Sequence, residues 1–580
     1  MKVAVVGSGV SGLGATWLLN EYSEHEVHLY EADNRPGGHA HTVRYVPPGK
    51  TNSQGVDVDT GFIVCNPDTY PNFLRFLRLF PPSSPSLPSR IISWLSLGLI
   101  QPVHQEGGIR ILPTEMTFSV SRDGGAFEWA GKNLATIFCQ TRRLFDPDMW
   151  RMIYDILRFN VCGRRVLLTP PQPDEIEISI GDYLTAEGYS DSFRDNYLIP
   201  MTAAIWSTPP DDCFLDFPAR TLIQFMFNHN LLQITGKPSW LTIQGGSHKY
   251  VNQILSKLPE ENLHLSTAVT SVKTLNPQPG KKPRVLLTTE HGDIFAYDHV
   301  ILACHSDTAL DILRAGNIAE EEERILNQFS WNRNEVILHS DTRMMPRSRK
   351  AWSCWNYLSF TVMVPDTQPT GQGDMSDTTT EAGLYSEQED TASKRGRSRP
   401  LMKMQVNEVS LTYGMNDLQH IPESSYGPVL VTLNPPFEAN EYKVFGRWKY
   451  DHPVLDSKAV LAQSEMHKIQ NTRSISYAGA YLKYGFHEDG FTSGLLAACS
   501  VDETQEGAGQ ARRQTVHPPF DIRHADHHVR LAERGTLNVG YEFMAGIFDW
   551  LEGSGVRSIF GDVAGILLGL LGWFLGVKGL

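Results

Sequence analysis

The residues most able to do chemistry stand at the start of the chain. Gly7-Ser8-Gly9-Val10-Ser11-Gly12 sits between an apolar run, residues 2–6, and a helical pattern over residues 13–22; a second apolar run, residues 26–30, ends at Glu31. The three glycines do different things. Gly7 permits the tight turn, Gly9 lets the backbone approach a pyrophosphate, and Gly12 allows the helix to pack closely on the strand. The helix amino terminus, with unpaired N–H groups and the positive end of its dipole, then faces phosphate. Glu31, 19 residues beyond Gly12, is expected to accept hydrogen bonds from adenosine ribose hydroxyls, which disfavours a 2′-phosphate and selects FAD or NAD over NADP. A glycine turn without a ligand is the competing reading, and the strand–turn–helix–strand context weighs against it. Other reactive side chains carry less. His524-Ala525-Asp526-His527-His528 has metal-ligand residue types, but in a polar stretch they are expected to be solvated, so no metal site is expected. Cys499 reads as a small buried apolar residue.

The elements that position such a ligand come from a chain of 580 residues, long enough for about two to four domains and a sizeable core. Hydrophobic residues make up 41% and charged residues 20%, which excludes collagen-like, coiled-coil and wholly disordered chains. A net charge of −14 works against attraction to nucleic acid, so no nucleic-acid partner is expected. Seven scattered cysteines without a CxxC pair indicate neither a disulfide framework nor zinc, and fit a reducing compartment. No signal peptide is read at the amino terminus, where the fold is expected to begin at residue 1.

Strand, turn, helix and strand at the start make half a doubly wound sheet. Residues 131–235 read as mainly helical, with Trp150, Ile153, Tyr154 and Leu157 spaced three and four apart and a proline-bounded loop at 170–173. Strand character returns in residues 268–272, 284–288, 294–297 and 300–303, the last fully apolar as suits a buried parallel strand. Residues 365–400 lack large apolar groups and read as a disordered insertion; residues 502–514 read as a tether to the tail. Residues 563–577 are uncharged, 15 residues against the roughly 20 that span a bilayer. Peripheral or tail-anchored membrane contact is expected there, with Trp573 and Lys578 as interfacial anchors; the competing reading is a helix packed on the protein. Residues 91–100 (IISWLSLGLI) are a second apolar stretch, for core or for lipid.

After Glu31 comes Ala32-Asp33-Asn34-Arg35-Pro36-Gly37-Gly38-His39-Ala40-His41-Thr42. This continuation resembles the flavoprotein extension of the flavin-containing amine oxidase superfamily. The resemblance implies FAD, with Ala32, Arg35, Gly37, Gly38 and His39 along the pyrophosphate and the approach to the flavin; the family usually has Arg where this chain has His39. Ser476-Tyr477-Ala478-Gly479-Ala480 and Gly485-Phe486-His487-Glu488-Asp489-Gly490-Phe491-Thr492-Ser493-Gly494 resemble its second flavin motif. There a strand ends at Gly479 and a late helix points its amino terminus at the flavin, with Gly490 and Phe491 at the cofactor. Ala480 stands where the family commonly has an acidic residue, and Asp489 is expected to take part of that duty. Residues 240–247 are similar to the family's second glycine pair, Ala268-Val269 to the strand whose valine backbone holds the adenine, and residues 297–305 to the strand returning under the flavin. Phe62-Ile63-Val64, Tyr70-Pro71-Asn72, residues 203–207, Asn228-His229-Asn230-Leu231, Trp355-Asn356-Tyr357 and Leu433-Asn434-Pro435 narrow the resemblance to a subgroup related to the amino-terminal flavoprotein part of plant cyclopropane fatty acid synthases. It covers about residues 1–500, apart from the polar insertion.

The fold so implied is α/β: a doubly wound, Rossmann-like FAD-binding domain interleaved with a mixed α+β substrate domain. The expected division gives 1–75, 236–310 and 446–505 to the FAD-binding domain, 76–235 and 311–445 to the substrate domain, and 506–580 to a tail. Members of the superfamily share hydride removal to flavin N5. True amine oxidases present a lysine after the strand corresponding to residues 300–303, and Phe329-Ser330-Trp331-Asn332-Arg333-Asn334-Glu335-Val336 has none. His487 and Glu488, just before the flavin-facing helix, are the catalytic acid or base candidates; the alternative is that with Asp489 they cap that helix. His305 is expected to stabilise a strand-end loop rather than lie under the flavin. Tyr450-Asp451-His452-Pro453 is either an aromatic wall or a packed turn. The expected function is an FAD-dependent oxidoreductase, in the sense that includes desaturation and isomerisation, acting on a hydrophobic, fatty-acyl-like substrate in the cytoplasm or on the cytoplasmic face of a membrane. Two alternatives stand beside it: an amine oxidase producing hydrogen peroxide, and a non-catalytic flavin-binding partner of a lipid-modifying enzyme.

Overall fold

The computed structural model describes residues 1–82, 108–168, 178–206, 217–233, 239–275, 284–365, 402–406, 410–501, 515–523 and 535–574. The polar insertion beyond Pro365, the 91–100 stretch, the 170–173 loop, the 502–514 tether and the 524–528 histidine cluster lie outside them. Six helices matter below: α1 (Val10–Tyr22), α2 (Pro71–Arg78), α3 (Pro147–Cys162), α4 (His487–Ser500), α5 (Gly535–Gly553) and α6 (Val556–Phe574).

Fully apolar runs become central parallel strands because both faces of such a sheet are covered by helices. Val3, Ala4, Val5, Val300, Ile301 and Leu302 have no exposed surface, and they pair as Val3↔His299 through Val6↔Leu302. The sheet runs in the order Leu263–His264, Glu26–Tyr30, Lys2–Val6, His299–Leu302, Ile475–Tyr477, all parallel, so three distant stretches of chain build one layer. This is the expected doubly wound α/β arrangement.

Two helices pack on that sheet with their backbones nearly touching. A Cβ on Gly494 of α4 would stand 2.0 Å from Ser11 O of α1, and one on Gly490 2.6 Å from Val10 Cγ1. Only hydrogen in place of a side chain allows this approach, and it fixes where the amino termini of both helices point. Trp17 and Phe491 fill the space beyond the crossing, within one core cluster.

A seven-stranded sheet forms the second layer, in the order Val444–Val454, Ser330–His339, Leu430–Leu433, Ser410–Gly414, Trp355–Ser359, Phe118–Arg122, Phe127–Ala130. It is antiparallel except between Trp355–Ser359 and Phe118–Arg122. Helices dominate the described residues between 131 and 233, as expected. On α3, Met149, Met152 and Phe159 are among the buried side chains, while Trp150 and Leu157 are exposed. The three-and-four spacing is the same on either side, and the choice is made by what packs there. Tyr154 meets Phe548 of α5, with ring centroids 5.4 Å apart.

Residues 563–574 belong to α6, which follows α5 after a bend of 71°. Among the described residues no single helix is long and apolar enough to cross a membrane, although the bent pair together meets that test.

Candidate active site

A cavity of about 470 Å³ lies where the carboxyl ends of the parallel strands face the seven-stranded sheet. In open α/β sheets this is where ligands bind, because the connections leave a crevice there. One end is lined by Gly7, Gly9, Val10, Ser11, Glu31 and Gly38. Gly7 has φ +103°, and a Cβ there would lie 2.8 Å from Ala303 O. α1 begins at an N-cap glycine, Gly9, with no side-chain cap, so its first-turn N–H groups have no partner within the helix. A Cβ on Gly9 would meet nothing within 4 Å, whereas one on Gly12 would be 1.8 Å from Gly7 O. Gly12 therefore serves packing, and Gly9 keeps space open in front of uncapped donors. Glu31 is held in place: one carboxylate oxygen accepts from Ser8 N at 2.8 Å and Ser8 Oγ at 2.5 Å, the other from Asp33 N at 2.8 Å. Gly37 N donates to Ser8 O at 3.0 Å, and Arg35 donates to Gly38 O at 2.9 Å, which ties the second glycine pair beside the first turn.

The other end is an aromatic chamber. Trp331, Trp355, Tyr413 and Tyr450 come from the seven-stranded sheet, and Phe62, Tyr481 and Tyr484 from loops at the strand ends. Five histidines, His39, His229, His305, His452 and His487, also line the cavity. Burial drives their pKa values down: His229 and His452 to about 4, His487 to about 3, His39 well below the ordinary value, and His305 in the same direction. All five are neutral near pH 7. His305 stacks on Trp331 with centroids 3.9 Å apart, and Asn334 Nδ2 donates to His452 Nδ1 at 2.9 Å. The Tyr450 hydroxyl lies 2.7 Å from both His41 Nδ1 and Thr60 Oγ1. Glu31 and Asp451 are the acidic side chains of the lining, and among the described residues no lysine or arginine lines it.

The structure brings Gly7, Gly9, Val10, Ser11, Glu31, Gly38 and His39 to one cavity and carries part of the helix α4 motif elsewhere. His487 does reach the cavity, but its ring stacks on Phe62 at 3.8 Å and its Nε2 is bonded to the Tyr250 hydroxyl at 2.8 Å. Glu488 does not line it. Its carboxylate turns away and accepts the N–H groups of Asn72 and Phe73, at 2.8 and 2.9 Å, at the amino terminus of α2. Burial pushes this carboxyl up to about 8 while those N–H groups pull it back. Asp489 accepts Phe486 N at 2.9 Å and caps its own helix. Gly490 serves the crossing with α1, and the Phe491 side chain lies in the core against Trp17 and Phe76, so neither presents its side-chain position to a ligand. Ala32 is exposed at the rim; Val269 stands at the start of Val269–Thr274, close to Glu31 through Thr267 N→Glu31 O at 2.8 Å, but outside the lining. Gly479 lines the cavity and its N–H donates to Ser493 Oγ at 2.9 Å. Residues 450–453 form part of the strand Val444–Val454, not a turn, and all four line the cavity. Trp331 and Tyr413 were not singled out as site residues; the alternation Trp448, Tyr450, His452 along one strand is the signal that could have revealed this wall. No group of three or more potential metal ligands occurs among the described residues.

FAD fits what is present. The uncapped α1 terminus and the open space at Gly9 suit a pyrophosphate, and Glu31 suits ribose hydroxyls. Trp355 Nε1–H and the Tyr481 hydroxyl are buried with no hydrogen-bond partner among the described residues, and both residues line the cavity.

Comparison with known proteins agrees. Residues 5–80 match the model of an NAD(P)-binding Rossmann-like domain, and residues 212–502 that of flavin containing amine oxidoreductase. No curated protein sequence matches the chain. Among solved structures, putrescine oxidase bound to putrescine is similar, with a TM-score of 0.51, 12% identity, and 86% of this chain and 99% of that chain covered. Reduced UDP-galactopyranose mutase is similar too, with a TM-score of 0.50, 16% identity, and 86% and 93% covered. At such identities these two likenesses bear on the fold. Half of the chain lies within the flavin containing amine oxidoreductase model, which also supplies the cofactor, so the chain belongs to that family and is an FAD-dependent oxidoreductase.

Proposed function

We propose that the protein takes a hydride from a carbon of an apolar, fatty-acyl-like substrate held in the aromatic chamber. FAD, when bound, supplies the hydride acceptor at flavin N5. The observation that carries the reading is the chamber's composition: aromatic walls, neutral histidines, and no lysine or arginine among the described lining residues. An ammonium substrate entering it would shed its hydration with Asp451 as the one acidic side chain at that end, beside the aromatic faces and histidine nitrogens, and burying a charge without an ionic partner is costly. An apolar chain loses no such hydration. Trp331, Trp355, Tyr413 and Tyr450 give it flat walls and exclude water, while His39, His305 and His452, being neutral, add no charge to them. Desaturation and isomerisation share the first step, so the reading covers both.

The test mixes the full-length holoprotein anaerobically with unsaturated fatty acids and a lipid extract while the flavin absorbance is followed; in air, peroxide release is measured with polyamines and aromatic amines. Bleaching by lipid without peroxide from amines is expected. Peroxide from an amine, with no bleaching by any lipid, overturns the reading in favour of amine oxidation. Silence in both arms, with a lipid-modifying enzyme co-purifying, overturns it in favour of a non-catalytic partner.

A further inference from the structure

The α5–α6 hairpin leaves a large apolar surface facing outward. A helix on a soluble domain turns its apolar stripe inward and its charges outward. Here α5 does bury Ala545 and Phe548 against α3, with its acidic side chains tied to the chain at the edge of that contact. Arg165 pairs with Asp549 at 2.7 Å and Glu542 at 3.4 Å, the Tyr154 hydroxyl donates to Glu552 at 2.9 Å, and Arg557 of α6 pairs with Glu552 at 3.0 Å. The opposite side of α5 presents Val539, Phe543, Ile547 and Trp550, between 39 and 72% exposed. On α6 the small residue faces inward and the large ones outward: Gly565 rests on Pro147 at the start of α3, its added Cβ falling 3.6 Å from Pro147 Cγ, while Ile559, Phe560, Ile566, Leu567, Leu570 and Phe574 are between 59 and 81% exposed. Asp562 near its start is followed by no charged residue through position 577.

We propose that this outer face is an anchor that sits in the acyl region of one leaflet of a lipid bilayer without crossing it. Several observations favour lipid over a protein partner. The face is a continuous apolar stripe over both helices, with contact side chains recurring every three or four residues. Glu542, Asp549 and Glu552 of α5 are paired within the chain, and on α6 Asp562 is the single charged residue beyond Arg557. The Tyr154–Glu552 hydrogen bond holds α5 to α3, the Arg165–Asp549 ion pair holds it to the residues just after α3, and a 71° bend separates α5 from α6. A net charge of −14, with Arg557 engaged by Glu552, works against attraction to anionic headgroups, so apolar burial is the main drive to insertion.

The test is flotation of the full-length holoprotein with phosphatidylcholine vesicles, with and without added phosphatidylglycerol, at low and high salt. Flotation on phosphatidylcholine alone, unchanged by high salt, is expected. The triple variant Phe560→Glu, Ile566→Glu, Leu570→Glu is expected to lose at least about tenfold in vesicle-bound fraction while keeping its flavin spectrum, since charged residues are strongly disfavoured among acyl chains. The milder triple change of the same residues to serine stands in if the glutamates prevent folding. No flotation at any composition overturns the proposal, as does flotation that needs anionic lipid and disappears in salt. A dimer that the serine variant splits, with vesicles left unbound, overturns it by assigning the face to a second copy of the chain.

Discussion

Replacing Gly9 by alanine separates a residue kept small for the protein from one kept small for a ligand. Gly9 has φ −63° and ψ 176°, an extended conformation that alanine adopts freely, and its new Cβ would meet no protein atom within 4 Å. Two small terms then act on the apoprotein. Removing a glycine's freedom from the unfolded chain stabilises by about 0.4–1 kcal/mol, and alanine is a poorer N-cap than glycine by a similar fraction of a kcal/mol. They nearly cancel, so the apoprotein unfolding midpoint should be almost unchanged. The methyl group instead stands in front of the uncapped first turn of α1 and holds a pyrophosphate away from its N–H groups. Losing one charge-assisted hydrogen bond costs about 1.5–3 kcal/mol, which weakens FAD roughly 10- to 150-fold. Gly12→Ala is the contrast: its Cβ would be 1.8 Å from Gly7 O, so the apoprotein itself should lose about 1–3 kcal/mol. Thermal unfolding of the two apoproteins and FAD titration by flavin fluorescence read both quantities. Unaltered FAD affinity in Gly9→Ala, or an apoprotein destabilised as much as Gly12→Ala, would refute the reasoning.

Glu488→Ala leaves the N–H groups of Asn72 and Phe73 buried without a partner, at about 1–3 kcal/mol each, so urea denaturation should show a marked loss of stability while the rate of flavin reduction per folded molecule stays near that of the parent; a rate loss well beyond the stability loss would restore a catalytic role. Gly494→Val drives a side chain into Ser11 O and should abolish soluble expression or cost several kcal/mol in a urea titration, unlike Gly540→Val on α5, where an added Cβ meets nothing within 4 Å. Tyr450→Phe removes a hydroxyl bonded to His41 and Thr60 and should cost about 1–2 kcal/mol, read as a lowered midpoint with the flavin still bound. The buried histidines set an acid limb: His229 and His452 titrate near 4 in the folded chain against 6.5 unfolded, so the unfolded state takes up protons first and stability drains away as pH falls from about 6.5 to 4. Glu488 and Asp489, raised by burial to about 8 and about 7, act oppositely and remove stability as pH climbs from about 4.5 toward 8. Urea midpoints measured against pH should therefore peak between the limbs, and His452→Gln should flatten the acid one.

The cradle was legible because its residues are contiguous and each glycine answers a local backbone demand: Gly7 needs its positive φ, Gly12 its absent side chain, and Glu31 follows at the strand end. The chamber was not, because its walls are assembled across strands. Whether Trp331, Trp355 or Tyr413 faces the cavity depends on register in the seven-stranded sheet, where a slip of one residue would turn each to the other face. The α4 motif failed for a related reason. Its spacing identifies the helix, but the Gly490 and Gly494 contacts with α1 set its rotation, and that rotation carries Glu488 to α2 and Phe491 into the core. The same ambiguity hid which side of α3 is buried, since Trp150 and Met149 share a helical period and only the packing against neighbouring helices distinguishes them.

Comparative titration of the apoprotein with FAD, FMN and NADP is the most direct measurement. If Gly7 to Gly12 and Glu31 grip the adenosine diphosphate half of the cofactor, one FAD should bind per chain, with FMN, which keeps one of its phosphates but lacks the adenosine monophosphate part, and NADP, which places a phosphate against Glu31, each weaker by at least about a hundredfold. Equal affinity for FMN, or tight binding of NADP in place of FAD, would contradict it.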